Sequence, residues 1–339
     1  MLPDRNPANA GFNGSLRMLY PLTFHPVFKE RIWGGRNMAG LFGKSLPAGV
    51  PIGESWEITD RPEGVSVVAN GPLAGRDLRW LMAEHGAEVL GRSQMVKGRF
   101  PLLVKILDAE QTLSVQVHPP VSAAERLNGE PKTELWHVVH AVPGAELYAG
   151  LKQGVSRGQF EASLGEGRVA ECLHTLPAAV GQTLFLPSGR VHAIGAGLVI
   201  FEIQQNSDTT YRVFDWNRKD EAGNSRELHV AQSMQSIDFD DFEPMMAAAE
   251  FSEGNVRSRQ LVDCPYFSVH EHEWSDRDVL ELPSGRATVV GLVSGNVTIR
   301  SGSTLLELNP GQFSLIPGCL ESVTVEATGP ARLVSAVAA

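Results

Sequence analysis

Three cysteines in 339 residues are too few to staple a fold. Cys172, Cys264 and Cys319 lie far apart and are odd in number. That excludes a disulfide framework and fits a reducing, cytoplasmic compartment. Long apolar runs are missing too: no stretch approaches the roughly 18 residues a membrane helix needs. Positive charge is in deficit, with 29 Lys and Arg against 39 Asp and Glu, a formal net charge of −10 and a pI near 5.5. This balance argues against nucleic acid or an anionic membrane as the main partner. A phosphorylated small molecule remains open, since it needs only a few local cations. Met1–Arg17 is polar and lacks the apolar stretch of a signal peptide. Residues 1–19 are expected to be a disordered N-terminal extension.

Glycine and proline are plentiful, at 34 and 21 residues. Turns at that density favour a β-rich chain. Strands are expected over residues 54–60, 64–70, 101–107, 113–118, 134–142, 146–150, 183–186 and 199–204. Helical spacing marks residues 76–90 and, across Phe160, Leu164, Val169, Cys172, Leu173 and Leu176, residues 155–176. After residue 245 the pattern turns all-β, with short strands at 288–293, 297–301, 304–308, 313–316 and 322–325. Two stretches resemble each other: Gly181-Gln182-Thr183-Leu184-Phe185-Leu186-Pro187 and Gly311-Gln312-Phe313-Ser314-Leu315-Ile316-Pro317. The repeat suggests two related halves, 20–245 and 246–339, each a jelly roll of short strands. The first copy runs on to His192, whereas the second has Ser322 at that place. Only the first half is therefore expected to hold a metal.

Residues 111–118 read Gln-Thr-Leu-Ser-Val-Gln-Val-His. Strand side chains alternate between faces, so Ser114, Gln116 and His118 share one face and Leu113, Val115 and Val117 the other. A second His, His192, follows the turn Pro187-Ser188-Gly189, and Glu134 follows Lys132 by two. Singly, these residues read more readily as satisfied core histidines and a surface carboxylate. Together they offer imidazole, carboxylate and amide donors on three strands, a set that suits a divalent ion, most often zinc. Polar groups pointing into a barrel are costly unless something satisfies them. With one anionic ligand, a dipositive ion would keep net positive charge and Lewis acidity.

At these residues the chain resembles the cupins and, within them, the short bacterial type I mannose-6-phosphate isomerases. The likeness rests on Trp33-Gly34-Gly35, Gly53-Glu54-Ser55-Trp56, residues 100–108, Ser114-Val115-Gln116-Val117-His118-Pro119, Lys132-Thr133-Glu134, residues 187–193 and residues 205–213. It implies a mainly β, duplicated cupin fold with a few inserted helices. It also implies one Zn2+ per chain on Gln116, His118, Glu134 and His192. Arg212 matches an active-site arginine. Lys132, Glu202 and Trp33 fall near substrate, Lys105 and Ser114 match the phosphate end, and Arg218 stands where longer relatives carry a lysine. Ile194 replaces a tyrosine of those longer forms.

The implied activity interconverts mannose 6-phosphate and fructose 6-phosphate through a cis-enediol, in a monomer or homodimer that takes a small sugar phosphate. Such a reaction needs charge stabilisation, a proton shuttle and a grip on the phosphate. Arg212 suits the first task because its planar guanidinium stays charged. Glu202 lies between Phe201 and Ile203, where burial would raise its pKa. Glu202 and Lys132 are equally open as the base. Three rival readings are an iron-dependent cupin dioxygenase, a sugar-sensing cupin without turnover, and an isomerase for another sugar, phosphorylated or free.

Overall fold

A computed structural model describes residues 19–219 and 223–339. Most of the expected N-terminal extension and residues 220–222 lie outside them. Leu19 and Tyr20 are buried.

The first half is built from eleven main strands: β1 (Val27–Gly35), β2 (Ile52–Ile58), β3 (Leu102–Ala109), β4 (Val115–Val117), β5 (Glu134–Ala141), β6 (Glu146–Leu151), β7 (Leu173–Pro177), β8 (Thr183–Leu186), β9 (His192–Ile194), β10 (Leu198–Gln205) and β11 (Tyr211–Phe214). One sheet has the order β8-β5-β10-β3-β1-β2, and the facing sheet the order β7-β6-β9-β4-β11. The second half adds β12 (Val256–Asp263), β13 (Phe267–Trp274), β14 (Asp278–Glu281), β15 (Thr288–Ser294), β16 (Val297–Ser301), β17 (Thr304–Leu308), β18 (Phe313–Ile316), β19 (Thr324–Ala327) and β20 (Ala331–Ala338). Its sheets run β18-β15-β20-β13-β12 and β17-β16-β19-β14.

The two halves share one topology. Strands β2 to β10 map in order onto β12 to β20, and both pairs of sheets keep the same neighbours. The short sequence repeat marks the same turn in each copy. Gly181 and Gly311 both hold positive φ, and the next Gln closes each turn by accepting a backbone N–H, from Ala179 at 2.8 Å and from Asn309 at 2.9 Å. The chain is thus a duplicated cupin jelly roll.

Four sheet layers stack with apolar side chains between them. The six-stranded sheet lies between the facing sheet of its own half and β18-β15-β20-β13-β12, so both of its faces are buried. Val104, Ile106, Leu135, Phe201 and Ile203 point outward and pack on Phe267, Phe313, Leu315 and Val334 of the second half. Their neighbours Leu107, Trp136 and Ile200 point inward against Leu147, Ala149 and Ile194. This explains why β3 and β10 read as near-continuous apolar runs. Lys105, Glu202 and Gln204 interrupt those runs on the inward face, and all three are buried.

Two helices cover the edges. The first, α1 (Leu78–Leu90), starts at Asp77, whose side chain accepts from the Trp80 N–H at 2.7 Å. The second, α2 (Arg157–Gly165), has a capping box between Ser156 and Gln159. The helix expected over 155–176 stops there. Gly167 takes φ +70°, a conformation that favours glycine. One 3-10 turn, Val169–Cys172, follows, and then edge strand β7.

Candidate active site and metal centre

The motif stretches meet through backbone hydrogen bonds. The turn at Pro187-Ser188-Gly189 lies beside His118, whose carbonyl accepts the Gly189 N–H at 2.9 Å. Gly189 itself has φ +98°. The Ser188 hydroxyl accepts the Lys132 N–H at 3.2 Å and lies 3.1 Å from the Thr133 hydroxyl. One turn therefore ties the His118, Glu134 and His192 segments together.

Register then lines up the side chains. Across β9, β4 and β11, His192 pairs with Gln116 and Gln116 with Arg212. Paired residues share a face, so His192, Gln116 and Arg212 form one row. On the opposing sheet, Trp136, Glu202, Lys105 and Trp56 form a second row across β5, β10, β3 and β2. Two residues along, Glu134 pairs with Gln204.

His118, Glu134 and His192 converge, with their ligand atoms all within 4.8 Å of one another. Nε2 of His118 is 3.5 Å from one Glu134 oxygen, and Nε2 of His192 is 3.4 Å from the other. Donors about 2.0–2.1 Å from a tetrahedral zinc would stand about 3.4 Å apart. Each Nδ1 is turned away: His118 meets the Thr209 carbonyl at 2.7 Å and His192 the Arg190 carbonyl at 2.9 Å. Those bonds fix the tautomer that presents a lone pair at Nε2. Glu134 Oε1 and Nε2 of His192 are buried without a hydrogen bond, and Glu134 Oε2 has only the Lys132 ammonium at 2.8 Å. Orphaned buried polar atoms ask for a partner, and a divalent ion supplies one.

Protonation suits ligation. Burial pushes His192 down to about 3, and burial together with the Lys132 ammonium lowers His118. Burial opposes ionisation of Glu134, but Lys132 and then the imidazoles outweigh it and hold the carboxyl well below its usual range. At neutral pH the three are ready ligands, since metal binding needs neutral imidazole and ionised carboxylate. The described residues therefore fit a metal, with Gln116 beside them on the cavity wall.

A cavity of about 350 Å³ opens next to this cluster, lined among others by Trp33, Ser114, Gln116, Lys132, Glu202 and Arg212. Lys132 stands 2.8 Å from Glu134 and 3.3 Å from Nε2 of His118. Glu202 accepts from the Trp136 indole at 3.0 Å, and burial raises its pKa against the pull of Lys132 and Lys105. Arg212 donates to the Glu227 carbonyl at 2.7 Å, while its Nε is buried without a partner. Trp33 is held in place by a close crossing: a Cβ on Gly34 would come within 2.3 Å of the Gly53 nitrogen.

Two expected substrate partners look different in space. Lys105 reaches the cavity, but carboxylates already surround it: Glu202 at 3.4 Å, Asp208 at 3.5 Å and Glu54 at 3.6 Å. Arg218, expected at the substrate, is not part of the cavity wall. Its guanidinium bonds the Thr112 carbonyl at 2.6 Å and Asp215. Arg226 is part of the wall, and Arg31, Glu54, Asp208 and Thr210 join it there; none is among the expected site residues, although Glu54, Asp208 and Thr210 lie within the motif stretches. Glu54 carries a usable signal, a charged residue inside the buried strand β2. Arg226 carries none, because it sits in an irregular polar stretch.

The second half has lost the cluster. By strand pairing Thr288 occupies the place of Glu134, since Ile316 pairs with Thr288 as Leu186 pairs with Glu134. Ser322, at the place of His192, is exposed.

Comparison with known proteins agrees with this architecture. A family model for the type I phosphomannose isomerase catalytic domain matches residues 22–137. A mannose-6-phosphate isomerase of Streptococcus mutans is 36% identical, covering 90% of this chain and 95% of that protein. One from Bacillus subtilis is 37% identical, covering 88% and 93%. This chain belongs to the type I mannose-6-phosphate isomerase family. Family members share its fold as well. The crystal structure of a Bacillus subtilis mannose 6-phosphate isomerase superposes with a TM-score of 0.84 at 30% identity, covering 93% of this chain and 99% of that one. A Salmonella typhimurium phosphomannose isomerase, at 17% identity and TM-score 0.73, shares the fold.

Proposed function

We propose that this cavity interconverts mannose 6-phosphate and fructose 6-phosphate through a cis-enediol. The observation that carries the reading is the convergence of His118, Glu134 and His192, with free lone pairs on Glu134 and His192, beside a cavity lined by Gln116, Lys132, Glu202 and Arg212. Gln116, His118, Glu134 and His192 would hold a divalent ion, zinc by the donor set, and that ion would polarise a substrate oxygen and stabilise charge developing on it.

The chain's own residues supply the rest. Arg212 lies in the row of Gln116 and His192, close to where an enediolate would form, and its guanidinium can grip two oxygens. A proton must leave C2 and arrive at C1 on one face of the sugar. Glu202 is suited to carry it, because burial raises its pKa and Trp136 fixes its carboxyl. Lys132 is the other candidate and can hold the oxygen that gives or takes a proton. Trp33 walls the sugar, and Ser114 offers a hydroxyl toward the phosphate end. Lys105, ringed by three carboxylates, lines the substrate's path and keeps Glu202 in register with Glu54 and Asp208. We assign metal binding and catalysis to the first half alone and a packing role to the second. All three cysteines are free thiols, which supports a reducing compartment.

A coupled assay for fructose 6-phosphate from mannose 6-phosphate tests this directly. A protein that binds the sugar phosphate and one metal ion yet never turns over would be a sensor instead.

A further inference from the structure

We propose that Arg226, braced by Asp215, grips the substrate's phosphate and sets the preference for phosphorylated over free sugar. This rests on the reading of the cavity as a sugar-phosphate site.

The cavity wall holds five cations: Arg31, Lys105, Lys132, Arg212 and Arg226. Four have a carboxylate partner. Arg31 pairs with Glu54 at 2.7 Å, Lys132 with Glu134 at 2.8 Å, and Lys105 has its three carboxylates. Arg212 lacks one, and Arg226 shares its own with a second arginine. Among the described residues Arg212 forms no ion pair; Glu227 gives it only a backbone carbonyl. Arg226 is chelated by Asp215 through Nε at 2.7 Å and through Nη2. Asp215 is shared with Arg218 on the same oxygen. Arg218 and Arg226 thus share one carboxylate while Arg212 has none, an excess of positive charge beside this part of the wall. The crowding is felt electrostatically: burial and then Arg226 lower the pKa of Arg212, while the two arginines on Asp215 lower that carboxyl against the effect of burial.

Position supports an anion there. Strand β11 runs antiparallel to β4, with Arg212 opposite Gln116 and Phe214 opposite Val115. Moving from Arg212 to Asp215 is therefore moving from Gln116 to Ser114, away from His118. Ser114 stands about 7 Å along the strand from Gln116. The order along the wall is metal ligands, Arg212, then Ser114 with Arg226. A hexose 6-phosphate needs that order, since a sugar ring separates its C1–C2 end from its phosphate. The double hold of Asp215 fixes Arg226 before substrate arrives, which limits the entropy lost on binding.

The test is Arg226→Ala, with Arg226→Gln as a second variant that keeps a donor for Asp215 and covers the case in which alanine does not fold. KM and kcat would be measured for mannose 6-phosphate and for free mannose, and inorganic phosphate would be titrated as a competitive inhibitor. Removing one charge-assisted hydrogen bond weakens binding by a factor of roughly 10–100. KM for mannose 6-phosphate and the inhibition constant of phosphate should rise together by that factor. Turnover of free mannose and metal content should stay unchanged. A wild-type KM and phosphate affinity in both variants would overturn the assignment, as would an equal loss on free mannose. If wild-type protein does not turn over mannose 6-phosphate at all, the functional reading fails instead. Calorimetric titration with inorganic phosphate then still decides whether Arg226 makes an anion site.

Discussion

Replacing Lys105 with methionine probes the charge network behind the proposed base. The ammonium is buried and faces Glu202, Asp208 and Glu54 at 3.4–3.6 Å. Methionine has similar length and no charge, so packing survives while three carboxylates lose their shared cation. Removing one member of a buried ion pair costs about 3–5 kcal/mol. The electrostatics of Glu54 bound one part of that cost. Burial opposes ionisation of Glu54, yet Lys105, and after it Arg31 and the Trp56 indole, hold its pKa at about 2 against 4.5. By linkage that depression corresponds to about 3 kcal/mol for the three partners together, with Lys105 the largest of them. The sign follows from the direction. A depressed carboxylate stabilises the fold above its unfolded pKa and loses that contribution as pH falls from about 4.5 through about 2. The deficit of the variant should therefore be full at pH 7 and shrink on acidification toward pH 3. Urea unfolding of both proteins, with chelator present so that metal loss does not enter, measures it. A deficit below about 1 kcal/mol at pH 7, or one that grows in acid, would refute the reasoning.

Other outcomes follow from the same geometry. His192→Ala should lose metal, read by elemental analysis, as well as activity; full metal occupancy would remove His192 from the ligand set. Arg212→Ala should keep metal and lose about 10²–10³-fold in kcat, as expected for a donor aimed at developing charge; an unchanged kcat would end its proposed role. Ser322→Ala should leave stability within about 0.5 kcal/mol and activity untouched, since Ser322 is exposed in the half that lacks the cluster. A large effect there would mean that the second half does more than pack.

Much of the fold is legible because polar exceptions stand out against buried strands. Lys105 in β3 and Glu202 in β10 announce the cavity face by interrupting apolar runs. The spacing of Gln116 and His118 marks one side of the metal cluster, and the repeated Gly-Gln turn marks the duplication. Register is not legible. Nothing in the sequence says that Arg212 pairs with Gln116 and Gln116 with His192, yet that row places the arginine beside the ligands. Strands β12 and β13 are hidden for a related reason. Their charges, such as Arg259 and Glu271, pair with one another across the strands at the interface between halves, so they do not show the usual apolar face. The end of α2 is hard to place because Val169, Cys172 and Leu173 keep helical spacing while packing from a 3-10 turn and a strand. Lys105 reads as a phosphate partner in the sequence because its three carboxylates come from three separate segments. Arg226 gives no signal there because only the fold carries its loop to the cavity.

The central claim is a metal-dependent isomerisation at the His118, Glu134 and His192 cluster. The most direct measurement is the conversion of mannose 6-phosphate to fructose 6-phosphate before chelation, after it, and after zinc is restored. Turnover should disappear with the chelator and return with about one metal ion per chain. Full turnover in protein shown to be free of metal would contradict it.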